Sequence, residues 1–304
     1  MRVVLLSGGV GGARFACGLR DALEPGELTV IGNVGDDLEI LGLYVSPDLD
    51  SIVYALAGLA HEVRGWGRAH ESWNALSSVA AWGGEDWFQL GDLDLGLHLV
   101  RTHALHGGAS LSEVTEELVA RAELDVRVLP ATDDQLRTHV VTEAGTLSFQ
   151  EWFVRRGHQD EVDDVIFQGA ESASPAPGVL ESLGEADAIV IAPSNPHVSI
   201  GPILAVSAIR GRLEARRVSC VAVSPLIGGT AVKGPAGRML SRMAGGTTPA
   251  HVASCYEGLI DALVIDEADA PADAPVKLVV TRTLMRNRDA SRHLAEVALE
   301  AACA

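Results

Sequence analysis

The hydrophobic positions fall into two kinds of pattern along the chain. Residues 3–6, 28–31, 188–191 and 218–223 are short apolar runs rich in β-branched side chains. Such runs predict strands buried on both faces, as in a parallel sheet. Residues 13–23, 200–213 and 286–301 instead carry apolar positions at helical spacing. Residues 263–265 and 277–280 predict the last two strands. Strand, glycine-rich loop, helix and strand over residues 3–31 make a βαβ unit with a right-handed crossover.

The middle of the chain reads differently. Residues 50–58, 73–82, 94–106 and 111–122 predict helices, and residues 126–129, 139–141 and 146–149 predict short strands. The last two strands predict a hairpin around Ala144-Gly145. The expected fold is therefore α/β: a Rossmann-like parallel sheet flanked by helices, with an inserted helical cap and a small β element. Residues 1–60 and 180–304 would form the nucleotide-binding core of a single domain. Residues 61–179 would form the cap and β insertion, with a seam in the Pro/Ser stretch 172–178.

Composition narrows the partners. The chain of 304 residues carries 41 acidic and 23 basic side chains, for a net charge of −18. A surface of that sign repels nucleic acid and anionic membranes. No apolar run reaches the length of a membrane span. No basic-then-apolar leader opens the chain, so a cytoplasmic protein is expected. Cys17, Cys220, Cys255 and Cys303 show no metal-ligand spacing and read as reduced thiols.

Candidate chemistry sits where predicted strands end. Ser7-Gly8-Gly9-Val10-Gly11-Gly12-Ala13-Arg14 follows the first strand and opens a helix. Glycines admit a phosphate close to the backbone, and the helix start supplies free N–H groups. Arg14 occupies the place of the third glycine of a dinucleotide fingerprint, and no Gly-Lys-Ser/Thr comes next to make a Walker loop. Asn33-Val34-Gly35-Asp36-Asp37 follows the second strand. Its paired carboxylates suit a hard cation shared with phosphates, or a turn that caps the segment from Leu38 onward. Of Asp48 and Asp50, one is expected to cap the helix and the other to face the cleft. Trp66, Trp73 and Trp87 cluster in a chain with 4% aromatics, as walls for a flat ligand or as the core of the cap. Gly91, Asp92 and Asp94 open another helix. Ser194-Asn195 and the loop from Pro225 through Gly228, Gly229 and Lys233 come after later strands and could hold phosphate or ribose.

Taken in order, these motifs closely resemble the 2-phospho-L-lactate transferase family of coenzyme F420 biosynthesis. The match runs over roughly residues 1–240. The resemblance implies a Mg²⁺-dependent phosphotransferase forming a phosphodiester, homodimeric in the family. The terminal ribityl hydroxyl of the deazaflavin Fo would attack the phosphorus of a guanosine diphosphate-linked donor. A phosphoenolpyruvyl or 2-phospholactyl group would be transferred, releasing GMP and giving dehydro-F420-0 or F420-0. It further implies Asp36 and Asp50 as catalytic and Mg²⁺-holding residues. Gly8, Gly9, Gly11, Gly12, Ser194, Asn195, Gly229 and Lys233 would hold the nucleotide. Asp50, Trp66, Gly91 and Asp92 would border the deazaflavin. Leu93 departs from the family, whose members often carry arginine there, and Arg68 and Arg101 are the candidates to replace it. A sister family of nucleotide-sugar-binding regulators of carbon metabolism shares a similar glycine loop. The aromatic cluster and paired aspartates favour the transferase.

Overall fold

A computed structural model describes residues 1–61 and 63–304. Seven parallel strands form one sheet. From one edge they run Lys277–Thr281, Ala262–Asp266, Cys220–Val223, Ala188–Ile191, β1 (Val3–Ser7), β2 (Leu28–Gly32) and Arg127–Pro130. The register is even: Leu5 lies between Val30 on one side and Val190 on the other. The four central strands are buried at nearly every residue. This is why their sequences read as unbroken apolar runs.

The chain reverses direction across the sheet at β1. It first builds outward through β2 to Arg127–Pro130, then returns to Ala188–Ile191 on the other side of β1. Such a switch point opens a crevice at the carboxyl ends of the strands. Helix α1 (Gly9–Ala22) leaves β1 there and packs on α2 (Pro47–Leu56) and on the closing helix Arg288–Cys303. The approach to the closing helix needs Gly18, because a Cβ there would run into the Ser291 carbonyl.

Two expectations shift. The run at 126–129, read as part of the small β element, is the edge strand Arg127–Pro130 of the main sheet, paired parallel to β2. Three of its four residues are buried, which a half-exposed hairpin strand would not show. The small β element has three strands instead: Arg137–Thr142 lies between Gly145–Ser148 and Asp164–Gln168, both antiparallel to it. The first pair is the expected hairpin. Its buried face, with Val140, Phe149 and Trp152, forms a second small core.

The cap contains α3 (Asn74–Ala81) and α4 (Asp92–His106). No residue of α3 is buried. Among the described residues no helix is long and apolar enough to cross a membrane.

Candidate active site

A cavity of about 830 Å³ opens at the switch point. That lies within the range of ordinary ligand sites. Its floor is built by the turns after β1 and β2 and by the first turn of α2. Pro47 occupies the start of α2, where its fixed φ suits a helix. The helix thus begins earlier than the pattern predicts, and both Asp48 and Asp50 fall inside its first turn. Neither caps it: Ser46 holds the cap position and makes no side-chain cap bond. Two residues apart on a helix, the carboxylates face different neighbours. Both line the cavity, together with Asp36 and Asp94.

Asp48 faces the glycine loop. Its Oδ2 accepts from Asn33 Nδ2 at 2.9 Å, and its carboxylate takes the Gly9 amide. Asn33 in turn holds the loop, its Oδ1 accepting from the Gly35 amide at 2.7 Å. Burial pushes the Asp48 carboxyl up to about 6. Asp36 is raised well above the carboxylate range, first by burial and then by the Asp48 charge beside it. Among the described residues, its buried Oδ1 has no hydrogen-bond partner. Asp37, by contrast, does not line the cavity. Tyr44 Oη and Ser46 Oγ donate to its Oδ2, both at 2.9 Å, and burial raises it to about 7.

Asp50 faces the other way. Arg101 of α4 donates to both of its oxygens, through Nη1 to Oδ2 at 3.1 Å and through Nη2 to Oδ1. His98 Nδ1 lies 3.8 Å from Oδ2. Burial depresses His98 to about 4, so it is neutral at neutral pH. Asp94, whose carboxyl burial lifts to about 6, sits at the start of α4 beside Tyr54.

The glycine loop forms the second wall. Gly8 occupies the cap position of α1, no side chain caps the helix, and no acidic residue lies in its first turn. The loop presses on the turn after Ala188–Ile191. A Cβ on Gly8 would lie 2.8 Å from Asp48 Oδ2 and 2.9 Å from the Ser199 carbonyl. On Gly11 it would lie 2.8 Å from the Pro193 carbonyl, and on Gly12 it would meet Ser7 and Ser194. Only Gly9 needs glycine for its backbone, with φ +67°. Ser194 Oγ donates to the Gly8 carbonyl at 2.6 Å, and Asn195 Oδ1 accepts from the His197 amide at 2.9 Å.

A further part of the lining, beside the glycine loop, carries cations and aromatic rings: a Cβ on Gly65 would lie 2.7 Å from Val10 Cγ1 and 3.4 Å from Lys233 Nζ. The two-residue turn Gly228-Gly229, with φ of +58° and +71°, folds Leu226–Ile227 onto Thr230–Ala231. It leads to the exposed Lys233, whose Nζ donates to the Arg64 carbonyl at 3.0 Å. The Arg64 guanidinium stands over Trp66 and Trp73, at 5.5 and 5.0 Å from their rings. Arg14 also lines this part of the cavity. Further along, Phe149 and Phe153 stack at 5.2 Å with an interplanar angle of 12°, and His158 continues the stack 5.2 Å beyond Phe153. Trp87 and Phe88 meet edge to face at 5.8 Å.

The structure thus brings Asp36, Asp50, Gly8, Gly9, Gly11, Ser194, Asn195, Lys233 and Trp66 to one cavity. Gly12, Gly229, Gly91 and Asp92 lie outside its lining. Gly12 packs behind the loop, and the Gly229 amide donates to Asp269 Oδ1 at 2.7 Å. Asp92 caps a neighbour: its carboxylate accepts from the amides of Asn74 and Ala75 at the start of α3, at 3.1 and 3.0 Å. Glu71 returns the exchange, accepting from the Leu93 and Asp94 amides at the start of α4, both at 2.8 Å. Gly91 is where that exchange passes closest, since a Cβ there would collide with Glu71. Leu93 is 43% exposed and outside the lining. Of the candidates for the missing arginine, Arg101 is buried under Asp50 and Arg68 lies 5.6 Å over the Tyr54 ring.

Sequence reasoning missed Tyr54, Phe149, Phe153 and His158, and read Asp94 only as part of a helix start. The spacing of Phe149 and Phe153 is a helical one, but the segment is a short turn after a strand, with Phe153 in the π-helical turn Glu151–Arg155 and Phe149 just before it. That turn is too short to read as periodic.

The profile of the family described as 2-phospho-L-lactate transferase CofD matches residues 3–297. A phosphoenolpyruvate transferase of Streptomyces griseus is 44% identical over 313 residues, covering 99% of this chain and 98% of that protein. The Thermobifida fusca protein of the same name is 46% identical over 284 residues, covering 89% of this chain and 88% of its own. That of Mycolicibacterium smegmatis is 38% identical over 323 residues, covering 99% of each. Among solved structures, a UPF0052 family member from Bacillus halodurans superposes with a TM-score of 0.65 at 17% identity, covering 98% of this chain and 100% of that one. At that identity the likeness is one of fold.

Proposed function

The chain belongs to the 2-phospho-L-lactate transferase CofD family, and from that premise we propose that it joins a phosphorylated three-carbon acid to the deazaflavin Fo. The donor is guanosine diphosphate-linked. Its acid is enolpyruvyl, the group named in the relatives at 38–46% identity. The ribityl hydroxyl of Fo forms the new P–O bond, the bond from that phosphorus to GMP breaks, and the product is dehydro-F420-0. The observation that carries this reading is the polarity of the cavity. Its lining combines a glycine loop at a helix start, a group of carboxylates and several aromatic rings.

In this reading the chain contributes placement and charge, which is most of what phosphoryl-type transfer requires. The amides at the start of α1, with Ser194, Asn195 and Lys233, hold the nucleotide phosphates. Asp50, paired with Arg101, accepts a hydrogen bond from the attacking hydroxyl. Phe149, Phe153 and Trp66 cover the faces of the deazaflavin and exclude water.

The floor also fits Mg²⁺. Asp36 and Asp48 are hard oxygen donors, both raised by burial, Asp36 also by the Asp48 charge and Asp48 by the Asp50 charge, and among the described residues Asp36 Oδ1 has no hydrogen-bond partner. Among the described residues, no three His, Cys, Asp or Glu side chains form a ligating set. Asp36 and Asp48, with Asp50 at the edge, would therefore hold an ion whose other ligands come from substrate and water. When bound, the ion neutralises charge on the transferring phosphate. Relative to the expected pair Asp36 and Asp50, this reading adds Asp48.

Fluorescence titration of Fo into the protein, with GDP and Mg²⁺ present, tests the reading. Saturable binding of Fo is expected. Binding of a nucleotide-sugar with none of Fo would instead support a regulator.

A further inference from the structure

Arg101 is 1% exposed and sits beneath the cavity floor without lining it. It reaches from α4 across to α2 and meets both oxygens of Asp50. Its Nη1 also lies 3.4 Å from His98 Nδ1. The helix that carries it is fixed on either side. Glu71 caps its start, and the hydroxyl of the next residue, Thr102, accepts from the Tyr44 amide at 2.8 Å.

A guanidinium that grips both oxygens fixes the plane of a carboxylate as well as its distance. Each oxygen keeps lone-pair capacity on the side away from the fork. Asp50 borders the cavity. A buried ion pair adds little net stability over apolar packing of the same volume. What this pair supplies is geometry.

We propose that Arg101 is a positioning residue for the transfer: it locks the Asp50 carboxylate in one plane and so aims its free side at the acceptor hydroxyl. This rests on the role given to Asp50 above. Arg101 itself touches no substrate.

A second role, neutralising a buried charge, makes a different forecast. Lysine keeps the charge but cannot form the planar two-point contact. Steady-state kinetics of Arg101→Lys, with Fo and the guanosine diphosphate-linked donor each varied, separates the two. Positioning predicts a kcat lower by on the order of 100-fold, as a small misplacement of a reacting group produces. Both KM values should stay within about threefold, because ground-state binding is untouched. A folded Arg101→Lys with wild-type kcat, or with its loss confined to KM, overturns the proposal.

Asp50→Glu provides a second arm should the lysine variant fail to melt cooperatively. It keeps Arg101 and the charge but advances the carboxylate by one methylene. The same loss confined to kcat is expected, and wild-type kcat would overturn the proposal. A wild-type protein that turns over no Fo would remove the functional reading and this inference together. Wild-type turnover with an unaffected variant would remove the inference alone.

Discussion

The two walls of the cavity are built on opposite terms. The glycine-loop wall is pressed against protein: Gly8, Gly11 and Gly12 each leave no room for a Cβ, and the obstacles include the main-chain carbonyls of Pro193 and Ser199. The cap side is more exposed. Trp66 is 40% exposed, and the side chain held over it is Arg64. On the first wall the fold decides every position, and phosphates and carboxylates need that rigidity because misplacement is costly. The second wall offers rings and cations that a flat ligand can settle against.

Substitutions should divide along the same line. Gly8→Ala has the largest expected effect. Its methyl would meet Asp48 and the Ser199 backbone. We expect a stability loss of about 1–3 kcal/mol from overpacking, read by urea denaturation, and activity lower by more than about 100-fold.

Asp48→Asn comes next and has a signature in pH. The folded carboxyl is raised to about 6 from 3.8. Between those values the native state holds a proton that the unfolded state has released, so this group's contribution to stability falls as pH rises from 3.8 to about 6. Without metal, the melting temperature of Asp48→Asn relative to wild type should therefore increase from pH 4 to pH 7. Added Mg²⁺ should stabilise the wild type at pH 7 and do so far less for the variant. A pH-independent gap would show that Asp48 is not the buried charge described.

Phe153→Ala strikes the aromatic wall. The KM for Fo should rise about tenfold with a smaller change in kcat, the pattern of lost ground-state binding. Trp66→Ala should have the smallest effect. It should leave stability within about 0.5 kcal/mol, as a half-exposed side chain allows, and weaken Fo binding by a few-fold in a fluorescence titration. A loss in kcat as large as that of Gly8→Ala would erase the distinction between the walls.

The same contrast explains how much the sequence reveals. The centre of the sheet is legible because its four central strands are buried and apolar at nearly every position. The glycine loop and Asp36 are legible because they come directly after strand ends. Asp92 is not: it looks like a ligand-facing residue beside a glycine, but its partners are the amides that open α3, 18 residues earlier in the chain. Arg101 depends on Asp50, 51 positions away, and nothing near it marks it as buried. Phe149, Phe153 and His158 stack along one short irregular turn that carries no readable period. The pairings of Asp92 and Arg101 are set by tertiary packing, which local periodicity does not encode.

The central claim is that the carboxylate floor and the glycine loop together join an Fo hydroxyl to a guanosine diphosphate-linked acid. The most direct test is chromatography with mass detection of the products formed by the purified protein from Fo, the enolpyruvyl donor and Mg²⁺. The account predicts GMP and dehydro-F420-0 in equal amounts, with both lost in Asp36→Asn and Asp48→Asn while these variants remain folded. GMP released without the deazaflavin product, or full turnover in both variants, would contradict it.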